Sequence, residues 1–288
     1  MTAGATTGGG PGRPGEWASL SYADRLRLVF RLTEPAITGA IAALRPAPGS
    51  LGLDAGCGAG THAHRLARTA APGGRVAALD LALPNLLEVP TSGGPSARPG
   101  RVLRVNASLL TLPFPDRSFD WVWCADALWP HAVASGPVAA VRELARVVRP
   151  GGTLAVLFWS GQALLPGYPR LEARLDAAFA EHTPYLASVA PSEHHLRALA
   201  WLEEAGLEQT RARSFVAEAA APLAPELGEA LAGCFEMLWA EILPHLDAAD
   251  RHAYDRLCSL GSPECILRQP GYHAVVTYTL FSGVTRRD

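Results

Sequence analysis

The 288-residue sequence contains no lysine: all 25 of its basic residues are arginine. Together with the abundance of alanine and proline, that reads as a base-composition bias of the genome rather than a functional signal. No basic block is present and the formal net charge is −2, which argues against sequence-independent binding of a nucleic-acid backbone. No apolar run approaches the ~20 residues of a membrane span. The opening MTAGATTGGGPGRPG lacks the apolar stretch of a secretion signal, and its Gly/Pro/Thr bias is that of a flexible tail, so a cytoplasmic location is expected. The five cysteines (Cys57, Cys124, Cys234, Cys258 and Cys265) are odd in number and include no C-x-x-C pair. That favours a reducing compartment and excludes the usual zinc and iron–sulfur patterns, so no metal is expected.

Apolar residues make up 49% of the chain, enough for a sizeable core. The most informative stretch is Leu51 to Thr61, LGLDAGCGAGT. A short apolar run ends in Asp54 and breaks into Gly56, Gly58 and Gly60, and a helix-like HAHRLARTA follows. Strand, glycine turn and helix start allow a backbone to approach a nucleoside ligand closely, because glycine tolerates positive φ and has no Cβ in the way. The spacing is not the Gly-x-Gly-x-x-Gly of dinucleotide folds. An acid two residues before the first glycine also suits a ligand with a positive group better than a pyrophosphate. Val76 to Leu79 then read as a buried strand ending in Asp80, where a carboxylate can accept both ribose hydroxyls. Further on, LPFPD (Leu112 to Asp116) and SFD (Ser118 to Asp120) lead into a fourth strand, Trp121 to Cys124. Arg142 to Arg149 has helical apolar spacing, Pro150-Gly151-Gly152 makes a turn, and Thr153 to Phe158 is a β-branched and apolar strand.

The glycine turn resembles motif I of the class I S-adenosylmethionine (SAM) methyltransferases. The LPFPD-x-SFD and RELARVVRPGG segments are similar to those of its small-molecule, methyltransferase type 11-like branch. The resemblance covers roughly residues 50 to 159. It implies SAM as cofactor and S-adenosylhomocysteine as product, held by Asp54, Ala55, Gly56, Cys57, Gly58, Gly60, Asp80, Leu81, Asn106, Ser108, Leu109 and Ala125. The family often places an acid near the adenine amino group. Here that acid is missing, and Asn106 and Ser108 are the alternatives. The loop after the fourth strand is where the family faces both cofactor and substrate. There His131 is the first candidate for a general base and Asp126 the second, a solvated histidine being the plain alternative for His131. Trp129, His194, His195, Met237 and Trp239 are candidates to line a substrate chamber, ordinary packing or solvation being the alternative for each.

The expected fold is a doubly wound, seven-stranded Rossmann-like α/β sheet with its last strand antiparallel, plus helical cap inserts. Before the glycine turn two helices are expected, one opened by a Ser21-x-x-Asp24 capping box and one capped by Thr33 and entered through Pro35. The second crossover helix is cut short by a Gly/Pro/Ser loop at 89–100. Ser192 is expected to cap a helix ending at Gly206, followed by a strand from Thr210 to Ala217. Leu227, Leu231, Cys234, Leu238 and Ile242 share one helical face, and the last strand is Ala274 to Phe281. The chain divides into a tail (1–18), N-terminal helices and SAM-binding core (19–159), a lid insert without strand signal (160–190), a core helix and strand (191–221), a helical cap insert (222–268) and a final strand and tail (269–288).

The expected activity is methylation of a small, fairly apolar molecule. A macromolecular methyltransferase is disfavoured, because the fourth strand ends in Cys-Ala-Asp-Ala rather than the Asn/Asp-Pro-Pro-aromatic signature of amino-group methylases. A non-catalytic SAM-fold protein is the alternative from another class, and an NAD-linked oxidoreductase fits neither the glycine spacing nor the LPFPD-x-SFD segment. The partners expected are a small-molecule acceptor and, as an open alternative, a second copy of the chain; neither nucleic acid nor a membrane is expected.

Overall fold

The computed structural model of the chain describes residues 19–91, 101–129 and 135–287. These fall into two compact units. The sheet unit comprises Thr33–Gln162, Pro184–Ala217 and Val276–Asp288; the helical unit comprises Ala163–Thr183, Glu218–Val275 and the described part of Met1–Leu32.

Seven strands form one sheet: β1 (Leu51–Ala55), β2 (Arg75–Asp80), β3 (Arg101–Asn106), β4 (Phe119–Ala125), β5 (Val148–Ala163), β6 (Glu208–Ala220) and β7 (His273–Val284), in the order β3-β2-β1-β4-β5-β7-β6. The pairs β1–β2, β2–β3, β1–β4 and β4–β5 are parallel. The last strand runs the other way, as expected. Thr285 exchanges backbone hydrogen bonds with Gly151 and Gly152 beside the start of β5, while Ser160, near the far end of β5, reaches the carbonyl of Thr277. Helices α1 (Tyr22–Leu44), α2 (Ala63–Thr69), α3 (Leu83–Leu87), α4 (Pro137–Arg146) and α6 (Ala198–Glu204) accompany these strands, and α5, α7 and α8 are given with the helical unit. Central strands covered on both faces read as continuous apolar runs, which is why β1, β2 and β4 were legible from hydropathy. Leu53, Val76, Val122, Trp123, Leu144, Leu154 and Phe158 have no exposed surface. Burying each of the aliphatic ones contributes about 1.5–3 kcal/mol.

Two residues of the sequence motifs serve this scaffold. A Cβ on Gly52 would lie 2.1 Å from the Trp121 ring, so this glycine makes room for an indole, and that indole donates to Ser50 Oγ at 3.0 Å. Asp120 accepts the Leu51 N–H at 2.7 Å and pairs with Arg149 at 2.6 Å, tying β1, β4 and β5 together at their N-terminal ends.

Several boundaries differ from expectation. The Ser21 box forms, with Asp24 N–H donating to Ser21 Oγ at 3.1 Å, but it opens one helix that continues through Pro35. Proline inside a helix costs a hydrogen bond and about 3 kcal/mol. The burial of Thr33, Ala36, Ile37, Ala40 and Ile41 around it outweighs that local signal. The helix expected at 142–149 ends at Arg146, and Pro150-Gly151-Gly152 belongs to β5, which runs on to Ala163 into a region expected to lack strand. The helix assigned to Ser192 starts at Ala198 after two 3-10 turns. Its end is as expected: Leu207 N–H reaches the Leu202 carbonyl and Gly206 N–H that of Glu203, with Gly206 at φ +86°.

The helical unit is built on α5 (Pro169–His182), α7 (Pro225–Trp239) and α8 (Ala248–Cys258). Leu231, Cys234, Leu238 and Ile242 are buried on one face, with Leu227 partly covered. Arg174 grips the Asp250 carboxylate with two bonds of 2.5 Å, and Asp247 caps α8 by accepting Asp250 N–H at 2.8 Å. No helix among the described residues is long and apolar enough to cross a membrane.

Candidate functional site

The glycine turn leaves β1 at Ala55, a fully buried residue. Gly56 and Cys57 donate their N–H groups to the carbonyl of Leu79 at the end of β2, at 2.8 and 2.9 Å. Gly56, Gly58 and Gly60 take φ of +75°, +52° and +77°, a region L side chains rarely enter. Space is equally tight. A Cβ on Gly56 would come within 2.4 Å of Ala127 Cβ, and one on Gly60 within 2.7 Å of Val89. The turn therefore presents bare backbone, and α2 begins directly after it.

Two carboxylates flank the turn. Asp54 is 1% exposed, and its Oδ2 has no hydrogen-bond partner. Burial, followed by the charge of Asp80, raises its pKa to about 8. Asp80 ends β2 and is held on both oxygens: Oδ2 accepts Gly58 N–H and Oδ1 accepts Ala82 N–H, each at 2.8 Å. Leu81 beside it is 72% exposed, an unusual setting for leucine next to an ordered acid. Asn106 donates from Nδ2 to the carbonyls of Asp80 (2.9 Å) and Leu81 (3.0 Å), fixing this strand end from β3. Ser108 Oγ accepts Leu110 N–H at 3.1 Å, so Ser108 and Leu109 form a tight turn, and Leu109 lies 3.8 Å from the point where a Gly56 Cβ would be. Ala125 closes β4 next to the same turn. Cys57 is buried, with its thiol pushed far up by desolvation, so it is inert packing.

These residues fit the cofactor that the motif implies. A turn with bare glycine backbone at three left-handed positions, a buried carboxyl oxygen without a partner next to a second acid, and an exposed leucine at the strand end suit a ligand with a cationic part, a ribose and a flat base. No feature suits a pyrophosphate: no cationic side chain stands in the turn, and the Asp80 carboxylate beside it would repel one.

Beyond β4 the backbone turns at Asp126, which has φ +47°. Its N–H donates to the Leu157 carbonyl, and its Oδ1 accepts Trp159 N–H at 3.0 Å. Tyr278 of β7 donates a second hydrogen bond, and burial, the larger influence, holds the carboxyl at about 6. This left-handed residue with its raised carboxyl lies one position from the Ala127 that abuts Gly56. Tyr278, Trp159 and Ala127 had no sequence signal, because their roles depend on the pairing of distant strands. His131 lies outside the described residues.

Trp129 packs edge-on to Phe158 at 5.6 Å and to His195 at 4.8 Å. His195 stacks on His194 at 4.3 Å and bonds the Trp159 backbone. Burial, then His194, lowers its pKa to about 4, which leaves it neutral at physiological pH. At the start of α2, His62 Nδ1 accepts the Trp123 indole N–H at 3.2 Å and is likewise lowered to about 4 by burial. Met237 and Trp239 lie in the helical unit. Met237 is 40% exposed, whereas Trp239 is fully buried, stacked on Phe235 at 5.8 Å with its indole N–H given to Asp176 at 3.0 Å. Among the described residues no three His, Cys, Asp or Glu side chains come together as a metal site.

Comparison with known proteins agrees with this geometry. Residues 53–156 match the model of the family described as "Methyltransferase domain". The 27-O-demethylrifamycin SV methyltransferase of Amycolatopsis mediterranei is 34% identical over 52% of this chain and 49% of its own length. The demethylmenaquinone methyltransferase of Lysinibacillus sphaericus is 32% identical over 43% and 50%. The chain thus spans about half the length of these curated relatives. Among solved structures, the YcgJ protein of Bacillus subtilis covers 88% of this chain and 98% of its own at 19% identity and TM-score 0.53. The Bacillus halodurans protein BH2331 covers 87% and 98% at 18% identity and TM-score 0.50. At such identities these two speak for the fold. Residues 53–156 match the methyltransferase-domain family, and the sheet order and the bare glycine turn between two strand-end acids agree with the class I SAM-dependent methyltransferase fold.

Proposed function

We propose that the protein transfers a methyl group from SAM to a small, fairly apolar molecule. The observation that carries this reading is the glycine turn between the unpartnered carboxyl of Asp54 and the strand-end carboxylate of Asp80. When bound, SAM supplies a methyl already activated by its sulfonium, so alignment accounts for most of the rate. Asp80 accepts from the ribose hydroxyls, Leu81 and the Ser108–Leu109 turn flank the adenine, and the backbone of Gly56 to Gly60 faces the methionine part. Asn106, whose amide is engaged by two carbonyls, braces Asp80 and leaves the base to Ser108 and Leu109. Asp126 takes the acceptor's proton where the accepting group carries one, and Trp129 with His195 forms an apolar wall beside it.

Two relatives are named for small molecules, 27-O-demethylrifamycin SV and demethylmenaquinone. Calorimetry with S-adenosylhomocysteine and with NADH, followed by transfer of labelled methyl from SAM to a panel of hydroxylated aromatic and quinol compounds, tests the proposal. Micromolar binding of S-adenosylhomocysteine, none of NADH, and label in at least one low-molecular-weight product are expected. Failure to bind S-adenosylhomocysteine overturns it.

A further inference from the structure

The segment joining β3 to β4, residues 107–118, starts at the base-facing rim of the proposed cofactor site and continues as the LPFPD motif. The end of α4 holds its second half. Arg146 engages all five of its N–H donors there. Nε and Nη2 reach the two Glu143 carboxylate oxygens, each at 2.8 Å. Nη1 reaches the Phe114 carbonyl (2.9 Å) and Asp116 Oδ1 (2.7 Å), and Nη2 also reaches the Leu112 carbonyl (3.2 Å). Glu143 accepts Leu112 N–H at 2.7 Å, so the pair grips both backbone polar groups of one loop residue. The backbone of α4 adds to this: Arg117 N–H reaches the Arg146 carbonyl, and Ser118 and Phe119 reach that of Val147. The Arg146 guanidinium holds the Glu143 carboxyl below its ordinary range, which keeps the pair ionised at neutral pH.

The other half of the loop is held with fewer polar contacts, and Ala107, Leu109 and Leu110 are partly buried against the sheet core. Ala107 N–H reaches the Asp80 carbonyl at 3.3 Å, and Leu110 and Thr111 fold back on Ser108. With Leu112 fixed three residues beyond Leu109, the Ser108–Leu109 turn is anchored at its far end as well as by the packing of Leu109. A planar five-donor fork can span the loop in this way, and an ammonium cannot.

We propose that Glu143 and Arg146 are positioning residues for the adenine end of the cofactor site, acting through the Leu112 backbone on Ser108 and Leu109. This inference rests on the reading of that edge as the SAM site. The experiment compares S-adenosylhomocysteine with S-inosylhomocysteine, in which the base amino group is replaced by an oxo group, by calorimetry on wild type, Arg146→Met, Arg146→Lys and Glu143→Gln. Wild type should prefer the adenine ligand at least tenfold. Arg146→Met should weaken that ligand about tenfold and reduce the preference below threefold, with Arg146→Lys restoring only part of either. A preference that survives in Arg146→Met, even with a lower melting temperature, makes the pair mere scaffold and overturns the proposal. If Arg146→Met does not fold, Glu143→Gln decides: at least a threefold fall in preference supports the proposal and an unchanged value refutes it. Failure of wild type to bind either ligand counts against the proposed function. The clamp is then judged on ligand-free protein by hydrogen exchange at Leu110 to Leu112, which must quicken in Glu143→Gln for the proposal to stand.

Discussion

Removing the Asp80 carboxylate is the most discriminating change at this site, because that group has two jobs that can be separated. In the ligand-free molecule its oxygens brace the turn by accepting Gly58 N–H and Ala82 N–H, both at 2.8 Å. In the proposed binding mode they would also accept the two ribose hydroxyls. A hydrogen bond to a charged acceptor contributes about 1.5–3 kcal/mol. Asp80→Ala should therefore cost S-adenosylhomocysteine about 3 kcal/mol or more, at least a hundredfold in Kd. Asp80→Asn keeps one oxygen in place and gives up the charge, and about tenfold is expected. Calorimetry of both variants gives the losses, and circular dichroism establishes that they are folded. A 2′,3′-dideoxy form of the ligand separates the jobs, since it has no hydroxyls for Asp80 to meet. If Asp80→Ala weakens the dideoxy ligand as much as the natural one, Asp80 works only by bracing the turn. If the folded variant binds S-adenosylhomocysteine within threefold of wild type, the whole assignment of this edge fails.

Gly56→Ala should cost at least tenfold in S-adenosylhomocysteine affinity and also lower the melting temperature. The new Cβ would sit 2.4 Å from that of Ala127 at φ +75°, and unchanged binding would move the cofactor off this turn. Asp126 acts as a base only when ionised, and burial places its pKa at about 6, so kcat/KM should fall as pH drops below 6 with a slope of one. Asp126→Asn should lower the rate and remove that limb; a limb that persists belongs to another group.

The first two strands and the glycine turn between them could be read from the chain because their determinants are local. A strand, a glycine turn and a helix start lie within 51–69, and Asp80 closes the next strand. What could not be read depends on partners far along the chain. Pro35 and Thr33 looked like a helix entry until the burial of Ala36, Ile37 and Ala40 kept one helix running through them. Pro150-Gly151-Gly152 has the composition of a turn, yet Thr285 draws Gly151 and Gly152 into the sheet from the last strand. Trp239 lay off the apolar stripe in helical projection, and only the Asp176 carboxylate on α5 explains how its indole is fully enclosed. Arg142 to Arg149 offers only a helical apolar spacing in the chain, since nothing local shows that Arg146 reaches across to Leu112, Phe114 and Asp116.

The bond between Trp123 and His62 gives the protein an optical handle. The Trp123 indole has no exposed surface, and its N–H is accepted by an imidazole two residues beyond Gly60. Indole emission depends strongly on what its N–H touches, so any ligand that shifts the short stretch from Gly60 to His62 must alter the light from this one chromophore. Among the 7 tryptophans of the chain, Trp123 is thereby wired to the turn. A variant retaining it alone would show occupancy of the turn by fluorescence, with no label and no turnover.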